Sequence, residues 1–450
     1  MDLVYGIKDR PSIGKVFLFA VQQLLAIMAA TIAVPAIVGN GLSASAALFG
    51  AGVGTIIYLI FTKSASPVFL GSSFAFIGSM FSAFGGAASI TVGYWGLIIG
   101  SLMAGIVYII IALAVKFFGV SWIDKLMPPV IIGPTVAIIG LSLSGNAIGD
   151  LMRSNIESGS SYVALICGLF TLFVTMLCSP YGSKVGKLIP FIQGILAGYI
   201  LASIFAIIGH ATNNPALIVI NYSALSSLDF SKFSSFLSLP NFTFLLGGKD
   251  GLEGVTGTYL LTIFAAYVPV AFVVFAEHLA DHKNLSAIVG VNLLENPGLT
   301  RTLLGDGVGT FISTLFGGCP NTTYGESIGC VAITRNASTV SIWGCAFLCI
   351  VFSLITPLVA FLETIPSCVM GGVCVSLYGF IAVSGLKMFQ QVDLSKNSNL
   401  FVASVILITG VGGMVVKFGK VEIRTVACAL ILGILTNIVL SKGKKSNEKQ

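Results

Sequence analysis

An all-helical integral membrane protein, with fourteen membrane segments in a seven-plus-seven inverted repeat, is the fold class that the sequence predicts. Three observations point there. Hydrophobic residues make up 56% of the 450 residues and charged residues only 9%, with a mean hydropathy of +1.00. A soluble domain carries about a quarter charged residues, so a chain this poor in charge must be covered by lipid rather than water. Apolar stretches of near-spanning length recur from one end to the other. The longest gap between them, about 210–255, separates two sets of seven, and because seven is odd, two similar sets lie in opposite orientations.

A span needs about 20 apolar residues. The segments that fit are 16–38, 45–62, 68–86, 92–116, 127–147, 161–179, 188–209, 256–280, 302–318, 324–339, 340–362, 367–386, 399–416 and 423–441. The first follows a polar start with Lys8, Asp9, Arg10 and Lys15. It is too long for the apolar region of a cleavable signal, so it reads as a retained span. The third is interrupted by Gly71-Ser72-Ser73-Phe74-Ala75-Phe76, and the tenth opens on Pro320-Asn321-Thr322-Thr323-Tyr324-Gly325-Glu326-Ser327. These interruptions occupy corresponding places in the two sets. Paired interruptions of this kind mark a midplane binding site, because irregular backbone survives at membrane depth only where it lines a cavity. A weaker echo joins Met127-Pro128, Gly133, Gly140 and Ser144-Gly145 to Ile365-Pro366, Gly371, Gly379 and Ser384-Gly385.

Fourteen segments put both termini on one side. Only Arg153, Lys232, Lys249, Lys417, Lys420 and Arg424, of 23 basic residues, fall on the opposite side. The excess of Lys and Arg assigns the termini to the cytoplasm and the chain to the inner membrane. The formal charge of +6 is spread singly between apolar runs, apart from Lys442, Lys444, Lys445 and Lys449 in the tail, so nucleic acid is not an expected partner. The nine cysteines lie singly, without CxxC spacing. They read as small buried residues rather than a disulfide framework.

Most of the 17 acidic residues fall in loops or at span ends; the exceptions are Glu277, Asp281 and Glu326. Each costs about 2.5–3.5 kcal/mol or more at a helix centre, so each needs a purpose. Glu277 and Asp281 are i, i+4 and share a helix face, at the predicted end of the eighth segment. His278 and His282 form a second i, i+4 pair beside them, and His282 is expected at the interface. The spacing HxxxH can bind metal, but no third ligand is evident, so no metal site is assigned. Asp306 reads as a structural hydrogen-bonding residue, and Arg335 as a topology charge. Two carboxylates and two sets of freed backbone amides would suit a planar ring carrying N–H donors and C=O acceptors. A membrane-embedded carboxyl group can also load a proton on one side and release it on the other. No nucleophile–base set or nucleotide-binding loop suggests an enzyme.

The stretch 320–329, continuing through Ala332-Ile333-Thr334-Arg335, resembles the signature of bacterial members of the nucleobase–ascorbate transporter family, the uracil carriers in particular. Gly71 to Ile77, Ala276-Glu277-His278, Val369-Met370-Gly371-Gly372-Val373 and Leu377-Tyr378-Gly379 are similar to the same subgroup, and the likeness runs over about 15–440. The resemblance implies a core domain from 1–126 and 256–362 and a gate domain from 127–209 and 363–441. Between the halves would lie an outer loop, 210–255, and after them a cytoplasmic tail, 442–450. The third and tenth segments would each contain a short strand leading into a half-helix.

The resemblance further implies uracil or a related nucleobase as substrate, with protons as the coupling ion and no other cofactor. Glu277 and Glu326 would bind the ring, aided by the backbone amides of Phe74 and Gly325. Tyr324 would line the site, and Tyr378 would approach from the gate. Glu277, Asp281 and His278 are the candidates for proton coupling. Surrounding lipid and a second copy of the chain are the implied partners. Purine carriers of the family usually show Gln-Asn where this chain has Gly325-Glu326, which favours uracil. Gln23 and Asp281 stand where some relatives have histidines. The alternatives are a xanthine or other purine symporter of the same family and, from another class, an anion exchanger or channel of similar architecture.

Overall fold

The structure is a computed structural model that describes residues 3–183, 189–390, 392–418 and 421–447. Lys184, Lys187, Lys420 and Lys449, used above for the charge bias, lie outside the described residues, as do the first two residues and the last three of the tail.

The first part of the chain forms α1 (Ile13–Val38), α2 (Ala44–Phe61), strand β1 (Leu70–Ser72), the short α3 (Ile77–Gly85) and α4 (Ile90–Phe118). Ser43 and Ser89 start α2 and α4 by accepting from the backbone N–H groups of Ala46 and Val92, the usual work of a serine N-cap. Next come α5 (Ser121–Leu126), α6 (Pro129–Ser142), α7 (Ser144–Leu151), α8 (Ser161–Tyr181) and α9 (Pro190–Ala211). Pro129 and Pro190 sit in the first turns of α6 and α9, where a missing N–H costs nothing.

The 210–255 stretch is more ordered than a loop. It contains α10 (Ser223–Ser226) and α11 (Thr243–Glu253), and α11 packs on α4, where Trp95 Nε1 donates to the Gly248 carbonyl at 2.8 Å. The second part continues with α12 (Gly257–Val289), α13 (Leu299–Gly317), strand β2 (Asn321–Thr323), α14 (Gly325–Thr334), α15 (Thr339–Leu354) and α16 (Thr356–Glu363). It ends with α17 (Ser367–Phe389), α18 (Asn397–Val411), a hairpin of β3 (Val416–Phe418) and β4 (Val421–Ile423), and α19 (Thr425–Asn447). Among the described residues, eight stretches of helix are long and apolar enough to cross a membrane, from Ile13–Val38 to Ser367–Phe389. The protein is therefore a mostly helical, multi-pass membrane protein.

Two expectations need correction. The eighth segment does not end near 280. Helix α12 runs 33 residues and stops only at Gly290, whose φ of +72° supplies the left-handed turn that ends many helices. His282, which looked like part of an exit into water, is buried and bonded inside the protein, and the helix continues past it. The predicted eleventh segment is likewise two helices, broken at Ile355.

The helices sort by packing. α13 lies against α2 and α4, α15 against α1 and α2, and α12 against α4. Separately, α17 lies against α6, α7 and α8, and α18 against α6 and α19. Small residues let these helices approach closely: a side chain added at Gly54 would collide with Asn321 and Gly309, and one at Gly140 with the Tyr378 carbonyl and Ala382. Where the first group meets itself at its middle, β1 and β2 pair antiparallel, Leu70 opposite Thr323, Gly71 opposite Thr322 and Ser72 opposite Asn321. Each strand runs straight on towards a half-helix, so α3 and α14 leave the ribbon in opposite directions.

Candidate functional site

The ribbon is tied by its own side chains. Tyr324 follows β2, and its ring covers Gly71 so closely that any added Cβ would strike it. The Tyr324 hydroxyl donates to the Ser72 carbonyl at 2.8 Å, and its backbone N–H to the Phe69 carbonyl at 3.1 Å. Gln23 of α1 donates to the Ser327 hydroxyl and carbonyl at 2.5 and 3.1 Å, and the Phe69 N–H also donates to that hydroxyl, at 3.0 Å. One strand, one half-helix and α1 are thereby held in register.

Beside the ribbon lies a cavity of about 340 Å³, within the usual range of small-ligand pockets. Glu277 and Asp281 reach it from α12, and Glu326 from the first turn of α14. Phe74, Tyr324 and Gly325 also line it. The first N–H groups of a helix have no partner within that helix, so the start of α14 faces the cavity with donors beside the Glu326 carboxylate. Asp281 is anchored: the Thr323 hydroxyl donates to its Oδ2 at 2.6 Å, joining α12 to β2.

Tyr378 is not in the cavity wall. Its ring meets Phe74 edge-on, centroids 5.5 Å apart, so α17 touches the site through Phe74. Other residues of that helix, Phe380, Ile381 and Ser384, line the cavity directly. Nor does His278 face the cavity. Its Nδ1 donates to Asp306 Oδ2 at 2.7 Å, and its Nε2 lies 3.0 Å from the Thr302 hydroxyl. Asp306 is fully buried on α13, and the hydrogen-bonding role expected of it matches this geometry. Next to it, Thr310 donates to the Asn321 carbonyl of β2 at 2.8 Å. A closed polar ring thus runs from Asp281 through β2 to α13 and back to α12 at His278.

His282 is 1% exposed rather than interfacial. A carbonyl only accepts, so Nδ1 of His282 donates to the His278 carbonyl at 2.8 Å. Its Nε2 lies 2.8 Å from the Tyr58 hydroxyl and 3.4 Å from that of Ser66. The two imidazoles stack with centroids 4.1 Å apart. Among the described residues no group of three His, Cys, Asp or Glu is placed to hold a metal ion, and all nine cysteines are free.

Thr322 and Thr323 of the tenth-segment interruption also line the cavity, as does Asn284, which was not singled out from the sequence. Asn284 had a readable signal. Glu277, Ala280, Asp281 and Asn284 follow the i, i+3, i+4, i+7 stripe of one helix face, hidden only by ending the helix at 280.

The chain is similar to known transport proteins. A family model described as Permease family, of xanthine and uracil type, matches residues 14–418. The chain is similar to the uracil permease of Bacillus caldolyticus, 38% identical over 97% of this chain and 94% of the relative. It is also similar to the uracil permease of Bacillus subtilis (strain 168), 36% identical over 98% and 96%. Among solved structures, the transmembrane domain of the cyanobacterial bicarbonate transporter BicA matches with a TM-score of 0.62 at 13% identity, over 97% of this chain and 100% of that one. That likeness speaks to the fold alone. Matched over residues 14–418, this chain belongs to the Permease family of nucleobase transporters, and it is a transport protein rather than an enzyme.

Proposed function

We infer that the protein carries uracil across the cytoplasmic membrane together with protons, by alternating access. The observation that carries this reading is the convergence of Glu277, from α12, and Glu326, from the first turn of α14, on one cavity of about 340 Å³. A carboxylate only accepts hydrogen bonds, which suits a ring presenting N–H groups, and the amides at the start of α14 suit its carbonyl oxygens. The names of the curated relatives point to the same substrate.

In this reading the fourteen segments form two inverted sets of seven, with both termini in the cytoplasm. The packing group of α1–α4 with α12–α15 is the core, and that of α6–α9 with α17–α19 is the gate. The core moves against the gate carrying ring and proton, with Phe74 and Tyr378 as the contact between them. Glu277 and Asp281 serve the proton, and His278 supports them through Asp306. Differential affinity of the two facing states is what couples the fluxes. A second copy packs through the gate. An anion substrate is disfavoured by three carboxyl groups around the cavity, and a purine by Glu326 where an amide would both donate and accept.

The deciding experiment is uptake of labelled uracil in cells lacking their own carriers, competed by a panel of nucleobases, with and without a proton-gradient collapser. Competition by uracil and not xanthine, with loss of uptake on collapse of the gradient, is the expected result. Uptake that ignores the gradient would remove the proton from the mechanism, and preference for xanthine would remove uracil.

A further inference from the structure

The two packing groups meet differently at the two ends of α12. Towards the end of that helix they stand apart across the carboxylate cavity, with Glu277 and Glu326 on one wall and Phe191 of α9 and Phe380 of α17 on the other. Towards its start they are fastened. The strand β4 and helix α19 of the second group pack on α12. Arg424, at the junction of β4 and α19, donates from Nε to the Ser82 hydroxyl of α3 in the first group, at 2.7 Å. The Ser82 hydroxyl donates onward to the Gly78 carbonyl at 3.1 Å. A side chain added at Gly78 would place its Cβ 3.9 Å from the Arg424 Cβ, so the backbones themselves are close. The half-helix α3 is in turn tied to α12, where the Ser79 hydroxyl donates to the Ala266 carbonyl at 2.6 Å. From Ala266 at this seam to Asn284 at the cavity, α12 rises about 27 Å at about 1.5 Å per residue, most of the roughly 30 Å of a bilayer core. Fastening and cavity are therefore near opposite faces of the membrane, and α3, which begins just after Phe74 of the cavity wall, joins one to the other.

We propose that the Arg424–Ser82 bond, with the hairpin seated on α12, is a clasp that shuts the outer seam between the two groups and must open before solute can enter from that side. This rests on the reading above that the chain is an alternating-access carrier and that this side faces outward. A hydrogen bond made by a charged group is worth more than a neutral one, yet a single bond remains breakable. The clasp therefore biases the carrier towards the closed seam without locking it. Its anchor on the first group is the half-helix that follows Phe74, so a movement of the cavity wall on loading is passed straight to Ser82.

The test replaces the clasp with a bond that can be made and cut at will. A disulfide needs Cβ atoms about 3.5–4.5 Å apart, which the pair G78C/R424C meets. Oxidation of the double variant is expected to form the cross-link, read as a disulfide-linked peptide by mass spectrometry, and to abolish uracil uptake by cells; reduction should restore it. Each single variant should ignore the oxidant. Cross-linked protein that still takes up uracil at the reduced rate overturns the proposal, and so does failure of the pair to cross-link. If the double variant does not fold, S82A carries the test, with a reporter cysteine at the buried seam residue Ala266. Adding S82A to A266C is expected to raise labelling by a membrane-impermeant maleimide in whole cells about tenfold, as for loss of one hydrogen bond to a charged group, while the buried Cys345 stays unlabelled. Unchanged labelling of A266C overturns the clasp, and labelling of Cys345 as well marks general loosening and overturns it too. Cross-linking and labelling are read without transport. A failure there with normal wild-type uptake removes this inference only, whereas no uracil uptake by the wild type removes the proposed function.

Discussion

Glu277 with Asp281, and His278 with His282, occupy α12 at the same i, i+4 spacing, one residue out of phase. The acids border a cavity, and among their described contacts only Asp281 is tethered, by Thr323. The histidines face the other way, and both nitrogens of each ring have a partner: Asp306 and Thr302 for one, the His278 carbonyl and Tyr58 for the other. Polar groups inside a membrane protein therefore divide into those whose hydrogen-bonding capacity is closed internally and those left open to a passing solute. The difference lies in which helix face meets a packed neighbour, and spacing alone does not reveal it.

The comparison breaks first, and most visibly, at the open acids. Glu277→Gln and Glu326→Gln should each weaken uracil binding by about 10- to 150-fold, the loss of a charge-assisted bond of roughly 1.5–3 kcal/mol. Equilibrium binding to purified protein reads this directly; near-normal affinity in both variants would mean the acids do not touch the ring. At the closed pair the first effect should be on the fold. Removing one partner of a buried ionisable pair costs about 3–5 kcal/mol, so Asp306→Ala should lower Tm in detergent markedly and uptake only alongside it. Full Tm with lost uptake would instead place Asp306 among the transport groups.

Thr323→Val separates the two faces more finely, because it frees Asp281 while leaving the histidines alone. Loss of that hydrogen bond, about 0.5–1.5 kcal/mol, should change uracil affinity by less than about tenfold and shift the pH profile of uptake. An identical profile would make Asp281 a bystander to the proton. The smallest effect is expected at Gln23→Ala, within about fivefold in binding, since Gln23 bonds Ser327 behind the ribbon and does not line the cavity and one neutral hydrogen bond is worth about 1 kcal/mol. Complete loss there would bring α1 into the ligand's first contacts.

The membrane class, the interrupted stretches near 71 and 321 and the retained acids were all legible in the sequence, because each violates an expectation of lipid: too few charges, too many small polar residues in a span, a carboxylate without a neighbour to pair with. What was hidden shares one cause. Hydropathy reports the polarity of a side chain and not whether its partners lie inside the protein. His282, buried and bonded within the protein, therefore looked like part of an exit into water, and the last two turns of α12 went unseen with Asn284 upon them. Arg424 looked like a loop charge for the same reason. Phe380, Ile381 and Ser384 carry no signal of their own, being ordinary residues of an apolar helix that happen to face the cavity across the ribbon. Tyr378, expected to approach the site from the gate, meets Phe74 edge-on.

The paired strands have a consequence for how the molecule can be built and broken. Leu70–Ser72 and Asn321–Thr323 complete one another from positions some 250 residues apart in the chain, and Tyr324 bolts them across Gly71. A polypeptide severed in the stretch between Ala211 and Thr243 would leave each fragment with a single unpaired strand and an unfinished pocket. Neither piece alone should bind anything, and only the two synthesised together should restore a working carrier.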